Sequence, residues 1–480
     1  MDIKAELTKK DEKFLEQSLN GPMWKVILMI GTPLALYQML SQVFSVLDTM
    51  MAAHISKESV SAVAYLSQLK LILSALGGGM AVGSGILISR AYGEGNLTLV
   101  RKRVSSLYAI CLGVGILMLV GILPFTGQFL RFAGTPETLI TVGTQYFIVH
   151  LFTLVVTFMN NVHIAVERAR GNANLIFRLN LLVIIVKLTL TAIFVYIFNF
   201  GLVMIAAASL ISQIALFIFA VKNSIIGDSA FSFSAKAVTL EREVTAPMIS
   251  RSVPVIAEKA LFAFGKTIVN SMCTVYGDIM VGAMGVSNNL GGFATMPQNG
   301  YQDGAASIIS QNLGAGKHKR VIQAFYATVL INVAVGGIIT ALVLWQLNFM
   351  AGLFDSGSPE FHDMIMLVYR YEAYGAVPLG INAAVMALLY GLGRTRLTLL
   401  INFSRVFLFR IPVFWYLQNY TNYGQASVGI VMMVSNIAVT VMSVVVAFIV
   451  IRKFKKHTSC IKKDDKGTVL LSHSLITKRL

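Results

Sequence analysis

Four carboxylates interrupt long apolar stretches of this chain: Asp48, Glu258, Asp303 and Glu372. An ionised group inside a bilayer costs at least about 2.5–3.5 kcal/mol, so an acid kept there is expected to hold or exchange something charged. An unpaired buried carboxylate takes up a proton readily, whereas a neighbouring cation keeps it ionised. Either event changes the field on a cavity wall, which is the chemistry of a coupling or cargo site. Glu372 stands in YRYEAYG with Tyr369, Tyr371 and Tyr374, and an acid among aromatic rings suits an organic cation through charge and ring quadrupole. Glu258 follows Pro254 by four residues and has Lys259 beside it; successive helical residues point about 100° apart, so that pair is not assumed to form. The competing use for each acid is an interhelical ion pair, with Arg370, Arg405 or Arg410 as partner.

The elements that must position these acids follow from composition. Of 480 residues, 56% are hydrophobic and 13% charged, against about 25% charged in a soluble domain. That excludes an ordinary soluble enzyme. A spanning helix uses about 20 apolar residues, so twelve would use about 240. Apolar runs bounded by charge or Gly/Pro clusters predict spans near 24–52, 59–88, 105–130, 138–165, 174–199, 202–221, 247–275, 279–310, 322–352, 361–390, 397–418 and 425–451. The fold class is an all-α polytopic membrane protein, with twelve transmembrane helices as two pseudo-symmetric six-helix bundles.

Charge orients the chain. Thirty of the 39 Lys and Arg fall in the termini and alternate connections on one side, and only Lys57 and Arg131 on the other. Basic loops face the cytoplasm, so both termini are expected there, in a plasma membrane. The net charge of +17 is thereby a membrane-surface feature, and no nucleic-acid partner is implied. The predicted units are a cytoplasmic segment 1–23, a bundle 24–222, a linker 223–246, a second bundle 247–452 and a basic tail 453–480. The first residues carry no apolar core, and no removable signal peptide is expected.

Cys111, Cys273 and Cys460 are too scattered for a disulfide framework or metal site, and seven His show no ligand spacing. With no nucleophile triad or phosphate loop, the chain is expected to be neither an enzyme nor the holder of a metal or cofactor.

An internal repeat organises the rest. At an offset of 221, GSGILISRAYGEGNLTLV (83–100) lies over GAASIISQNLGAGKHKRV (304–321) with six identities in 18 positions, and Pro33 falls on Pro254. At 222, Gly171 falls on Gly393 and Asn180 on Asn402. Six helices per copy is even, so the copies are parallel, related by a pseudo-twofold along the membrane normal.

The motif GYQDGAASIISQNLGAGKHKR (300–320), the Pro in the first span of each half and an Asp further along the first span resemble the multidrug and toxic compound extrusion (MATE) family. The resemblance implies a monomeric antiporter surrounded by membrane lipids. A small, cationic, often amphipathic organic compound leaves in exchange for H⁺ or Na⁺, and the two bundles open a central cavity alternately to either side. It makes Asp48, fifteen residues after Pro33, the coupling carboxylate. In the fifth span many members place an Asn and an Asp four residues apart; the corresponding Lys187 and Thr191 here replace an acid by a hydroxyl and add an ammonium. That speaks against a Na⁺ site using a carboxylate there and suggests that Lys187 pairs with Asp48, with Asn180 on the same span. Snorkelling of Lys187 to an interface is the alternative.

Besides the acids, Tyr37, Gln38, Met51, Gln298, Gln302, Asn382 and Tyr390 are the polar or amphipathic positions expected to line a cargo cavity. Abundant Met, Phe and Tyr suit walls of loose specificity, although lipid-facing helices use the same residues. A flippase for lipid-linked saccharides, of the same superfamily, is the alternative function; it would favour a strongly cationic cavity, and seven bases lie within predicted spans beside the four acids.

Overall fold

The computed structural model describes residues 6–464 apart from 56, 134, 136, 199, 226–228 and 355–357. The side chains of 45, 46, 48–55, 57–65, 138, 139, 141, 142, 225, 278 and 457–464 also lie outside the description. Asp48 and Met51 are among these, so the expectations placed on them fall outside the described residues.

The chain forms helices α1 (Lys9–Asn20), α2 (Met23–Ile55), α3 (Lys57–Gly93), α4 (Leu97–Ile122), α5 (Thr126–Phe132), α6 (Glu137–Arg170), α7 (Ala173–Ala192), α8 (Leu202–Ile225) and α9 (Arg242–Cys273). They are followed by α10 (Asp278–Gly314), α11 (His318–Trp345), α12 (Leu347–Gly352), α13 (Pro359–Ala373), α14 (Ala376–Gly391), α15 (Thr395–Phe403), α16 (Ile411–Tyr420) and α17 (Ala426–Asp464). All twelve predicted spans fall on these helices. The tenth is broken: α13 and α14 meet at 49°. The eleventh runs from α15 to α16 through a π turn at Ser404–Leu408, a local widening common at functional positions.

Among the described residues nine helices are individually long and apolar enough to cross a bilayer, and the α13/α14 pair makes a tenth. Helices α9 and α10 fall short. The reason is their polar content, Glu258, Lys259 and Lys266 on one and Asn288, Gln298, Gln302 and Asp303 on the other. A spanning helix with such residues must turn them toward protein or a cavity. By contrast α4, α11 and α17 expose Leu117, Leu330, Ile338, Val441 and Phe448, the faces that suit lipid.

The 221-residue repeat is visible in the contacts. A Cβ on Gly79 would strike the backbone of Ile256, and one on Gly300 the backbone of Ala35; Ala35 is the repeat partner of Ile256, as Gly79 is of Gly300. Likewise Gly93 meets Gln311 and Gly314 meets Arg90. Such exchange of equivalent contacts is what a twofold relation produces. Small residues let helix backbones approach closely, and here they join α3 to α9 and α10 to α2. Gly95 and Gly316, also repeat partners, both take positive φ, 73° and 69°, the turn conformation that favours glycine.

These contacts gather at one end. There a single core spans both halves, from Ile27 and Ile30 through Ile88, Leu107 and Val166 to Ile309, Leu388 and Val450. Toward the other end the core divides: one cluster, from Leu66 to Ala206, belongs to the first half, and another, from Val269 to Met432, to the second.

Helix α1 reinforces the joined end. Thr8 and Asp11 form a capping box, and the Arg170 Nε donates to Asp11 Oδ1 at 2.6 Å. From the second half, Asn312 Nδ2 donates to the Ser18 carbonyl at 3.2 Å and Arg320 Nη2 to the same carbonyl at 3.1 Å. The amino-terminal segment thus straps the two halves together.

Candidate functional site

A cavity of about 420 Å³ opens below the joined end, walled by α9, α10, α13, α14 and α15, with Gln38 of α2 facing in from the first half. It brings together Gln38, Glu258, Gln298, Gln302, Asp303, Glu372, Asn382 and Tyr390 from five helices. Tyr37, next to Gln38, does not line it.

Glu258 is 5% exposed. Its carboxylate accepts three hydrogen bonds: from Tyr390 Oη at 2.7 Å, Thr398 Oγ1 at 2.6 Å and Asn402 Nδ2 at 2.6 Å. All three donors are neutral. Among the described residues no cation comes within ion-pair distance, so the ion pair weighed for this acid does not form, and hydrogen bonding alone offsets the cost of burying it. Tyr390 therefore serves the acid directly.

Asp303 is an interhelical ion pair: Arg168 Nη1 of α6 lies 3.1 Å from its Oδ2. It links the first half to the second at the cavity edge. Gln298 spends its amide on the carbonyls of Asn332 at 3.3 Å and Ala376 at 3.1 Å, stitching α10 to α11 and α14. Asn382 differs: it is 6% exposed, and its buried Oδ1 has no hydrogen-bond partner.

Glu372 stands one residue before the end of α13, where the chain breaks toward α14. The Ser287 hydroxyl donates to its Oε2 at 2.5 Å, and Gly291 leaves the room its other oxygen occupies. The tyrosine surround expected for it is not formed. Tyr369 is buried, Tyr374 is 69% exposed, and Tyr371 packs against Gly429 of α17. Tyr371, one residue before Glu372 on α13, points about 100° away from it, and the aromatic residues lining the cavity are Phe262 and Tyr390.

Arg405 and Arg410, weighed as partners for the acids, line the cavity but pair with none of them. Both donate to Asn436 Oδ1, at 2.9 and 3.1 Å. Arg410 Nε also donates to Ser435 at 3.0 Å.

The residues missed by sequence reasoning are Lys266, Thr398, Asn402 and Ser287. Asn402 had a signal: it is the repeat partner of Asn180, and Glu258 is that of Tyr37. The two halves have thus placed different chemistry on equivalent positions. In the first half Asn180 is buried and donates to the Ile176 carbonyl at 2.8 Å. Thr191 is fully buried with its hydroxyl unpartnered, and Lys187 is half-buried on the same helix. None of the three reaches the cavity above.

The MatE family model matches the chain twice, over 33–193 and 254–416, so the matches begin 221 residues apart. The probable multidrug resistance protein YoeA of Bacillus subtilis is 22% identical over 428 residues, covering 85% of this chain and 90% of that protein. The multidrug export protein MepA of Staphylococcus aureus is 21% identical over 397 residues, covering 81% and 85%. Among solved structures, one described as the outward-facing conformation of a multidrug resistance MATE transporter superposes with a TM-score of 0.88 at 19% identity, covering 94% of this chain and all of that one. A superfamily transporter from Pyrococcus furiosus, described as having a binding pocket of reverse polarity, gives 0.88 at 18%, covering 94% and 99%.

Proposed function

The chain belongs to the MatE family of multidrug efflux transporters, and on that premise we propose that it is an antiporter that expels small organic compounds in exchange for a cation by alternating access. It is a multi-pass membrane transporter and not an enzyme. The observation that carries the mechanism is the 420 Å³ cavity, walled by the second half with Gln38 of the first facing in, in a protein whose halves share a core at one end and have separate cores at the other. With the basic, joined end in the cytoplasm, as the charge asymmetry supports, this is an outward-facing state; the likeness to a structure so described supports it too. Rocking about the joined end would close the far side and open the near one.

H⁺ is the coupling ion we favour over Na⁺ at Glu258. Its buried carboxylate has no cation within ion-pair distance among the described residues, and its partners are neutral hydroxyls and an amide, of which the hydroxyls can turn from donor to acceptor once the acid is protonated. Asp48, with Lys187, Thr191 and Asn180, is the proposed coupling group of the first half. An amine on the cargo would meet Glu372 on the cavity wall. One chain supplies both halves, which supports a monomer as the working unit. The flippase reading retains one supporting observation: the cavity holds four cations, Lys259, Lys266, Arg405 and Arg410, against three acids.

The test is efflux from proteoliposomes of a fluorescent organic compound, driven separately by Na⁺ and by pH. A pH-driven flux reduced by Asp48→Asn and by Glu258→Gln is expected. Full activity of both variants under both gradients, or no flux under either, overturns the reading.

A further inference from the structure

The cavity carries more positive charge than its acids offset. Asp303 is already matched by Arg168 at 3.1 Å, and Lys259 adjoins Glu258. That leaves Lys266, Arg405 and Arg410 in the field of Glu372, and among the described residues none of the three comes within 4.0 Å of any carboxylate. Glu372 is instead bound by Ser287.

The guanidinium groups are held in place without being saturated. The Asn436 Oδ1 accepts from both, Ser435 accepts from Arg410, and the Phe262 ring lies 5.4 Å from the centre of the Arg405 guanidinium. The Arg405 Nε is buried and makes no hydrogen bond. Asn and Ser oxygens orient these cations but do not cancel them. Three cations against one acid leave an excess of two positive charges within spanning helices, where each ionised group costs at least about 2.5–3.5 kcal/mol and is normally paired. A planar guanidinium fork with free N–H groups matches the two oxygens of a carboxylate or phosphate.

We infer that the cargo carries an oxyanion, a carboxylate or phosphate on an amphipathic organic body, with or without an accompanying amine, and that Arg405, Arg410 and Lys266 bind it. The inference rests on the transport reading and names the substrate class of the same cavity. The oxyanion displaces solvent from the two guanidinium forks and neutralises the excess charge, while the organic body lies along Met296, Leu379 and Met386.

The test uses the full chain and one fluorophore made in three forms: with a carboxylate, with a carboxylate and an ammonium, and with an ammonium only. Fluorescence polarisation in detergent is expected to show both carboxylate forms binding at least about tenfold tighter than the ammonium form, a difference of about 1.4 kcal/mol. Lys266→Gln, which removes no hydrogen bond, and Arg405→Lys, which removes the fork but keeps the charge, should each erase most of that preference. Equal or tighter binding of the ammonium form, or an unchanged preference in both variants, overturns the inference. In proteoliposomes, movement of the soluble carboxylate form points to a free compound, and inversion of a fluorescent phosphatidylglycerol to a lipid headgroup; either supports the oxyanion. Transport of the ammonium form with exclusion of the carboxylate forms sinks this inference and leaves the transport reading standing. Tight carboxylate binding with no transport under any gradient does the reverse.

Discussion

The Tyr390 hydroxyl donates to Glu258 at 2.7 Å across 132 residues of sequence, tying the end of α14 to the middle of α9. Thr398 and Asn402 complete the shell from α15. A hydrogen bond to a charged group contributes about 1.5–3 kcal/mol, so this acid is anchored by its neighbours' hydroxyl and amide groups.

Glu258→Gln keeps the volume of the side chain but removes its charge. pH-driven efflux should fall at least about tenfold, equivalent to about 1.4 kcal/mol of barrier, while the protein still purifies as a monodisperse species. Tyr390→Phe deletes one donor of three and should give an intermediate rate. Flux assays in proteoliposomes check both.

Lys187 separates the two coupling ideas for the first half. If it pairs with Asp48, Lys187→Ala should weaken pH-driven transport severalfold, and Asp48→Asn should do the same. Undiminished, Na⁺-driven efflux by Lys187→Ala would sink the pairing.

Gly291 and Gly285 offer a matched pair on α10. A Cβ at Gly291 would sit 2.9 Å from the Glu372 Oε1, whereas one at Gly285 meets nothing within 4 Å. The carboxylate ends a flexible side chain and can yield, so Gly291→Ala should cost transport severalfold with little change in Tm. Gly285→Ala should leave transport intact and stabilise by up to about 1 kcal/mol through helix propensity. Thermal unfolding and flux, measured together, decide it.

Much of this was legible early because the bilayer imposes its own length and apolarity on a chain. The twelve spans and the repeat follow from local pattern; Glu258, Gln298, Gln302 and Asn382 stand out as polar groups within apolar spans, and it is the fold that brings them to one cavity. What pairing each group makes was not legible. Asp303 looked like a cargo acid, but its partner Arg168 lies on another helix of the other half. The tyrosines beside Glu372 in sequence do not gather around it: Tyr371 packs against Gly429 of α17 and Tyr374 stands exposed where α13 ends. Arg405 and Arg410 find Asn436 and Ser435 on α17, a contact no spacing reveals. Helix α1 read only as part of a polar cytoplasmic segment; its role depends on Asn312 and Arg320, far along the chain.

That strap gives the next prediction. Asp11 is 2% exposed and binds Arg170 while capping α1. Breaking a buried ion pair by removing one partner costs up to about 3–5 kcal/mol, although Glu167 also contacts Arg170, at 3.4 Å. Asp11→Ala should therefore lower Tm clearly, and cysteine labelling near Gly93 and Gly314 should accelerate as the joined end loosens. Asp11→Asn, which preserves the cap, should do so less.

Separation of the two halves at the joined end is the motion on which transport depends, and Ser89 and Ser307 meet there, 2.9 Å apart and buried. Cysteines at both positions, in a background lacking Cys111, Cys273 and Cys460, can be oxidised to a cross-link and the efflux measured before and after reduction. Loss of nearly all transport on oxidation, restored by a reducing agent, is the expected result. Unimpaired transport by the fully cross-linked protein would contradict alternating access through this cavity.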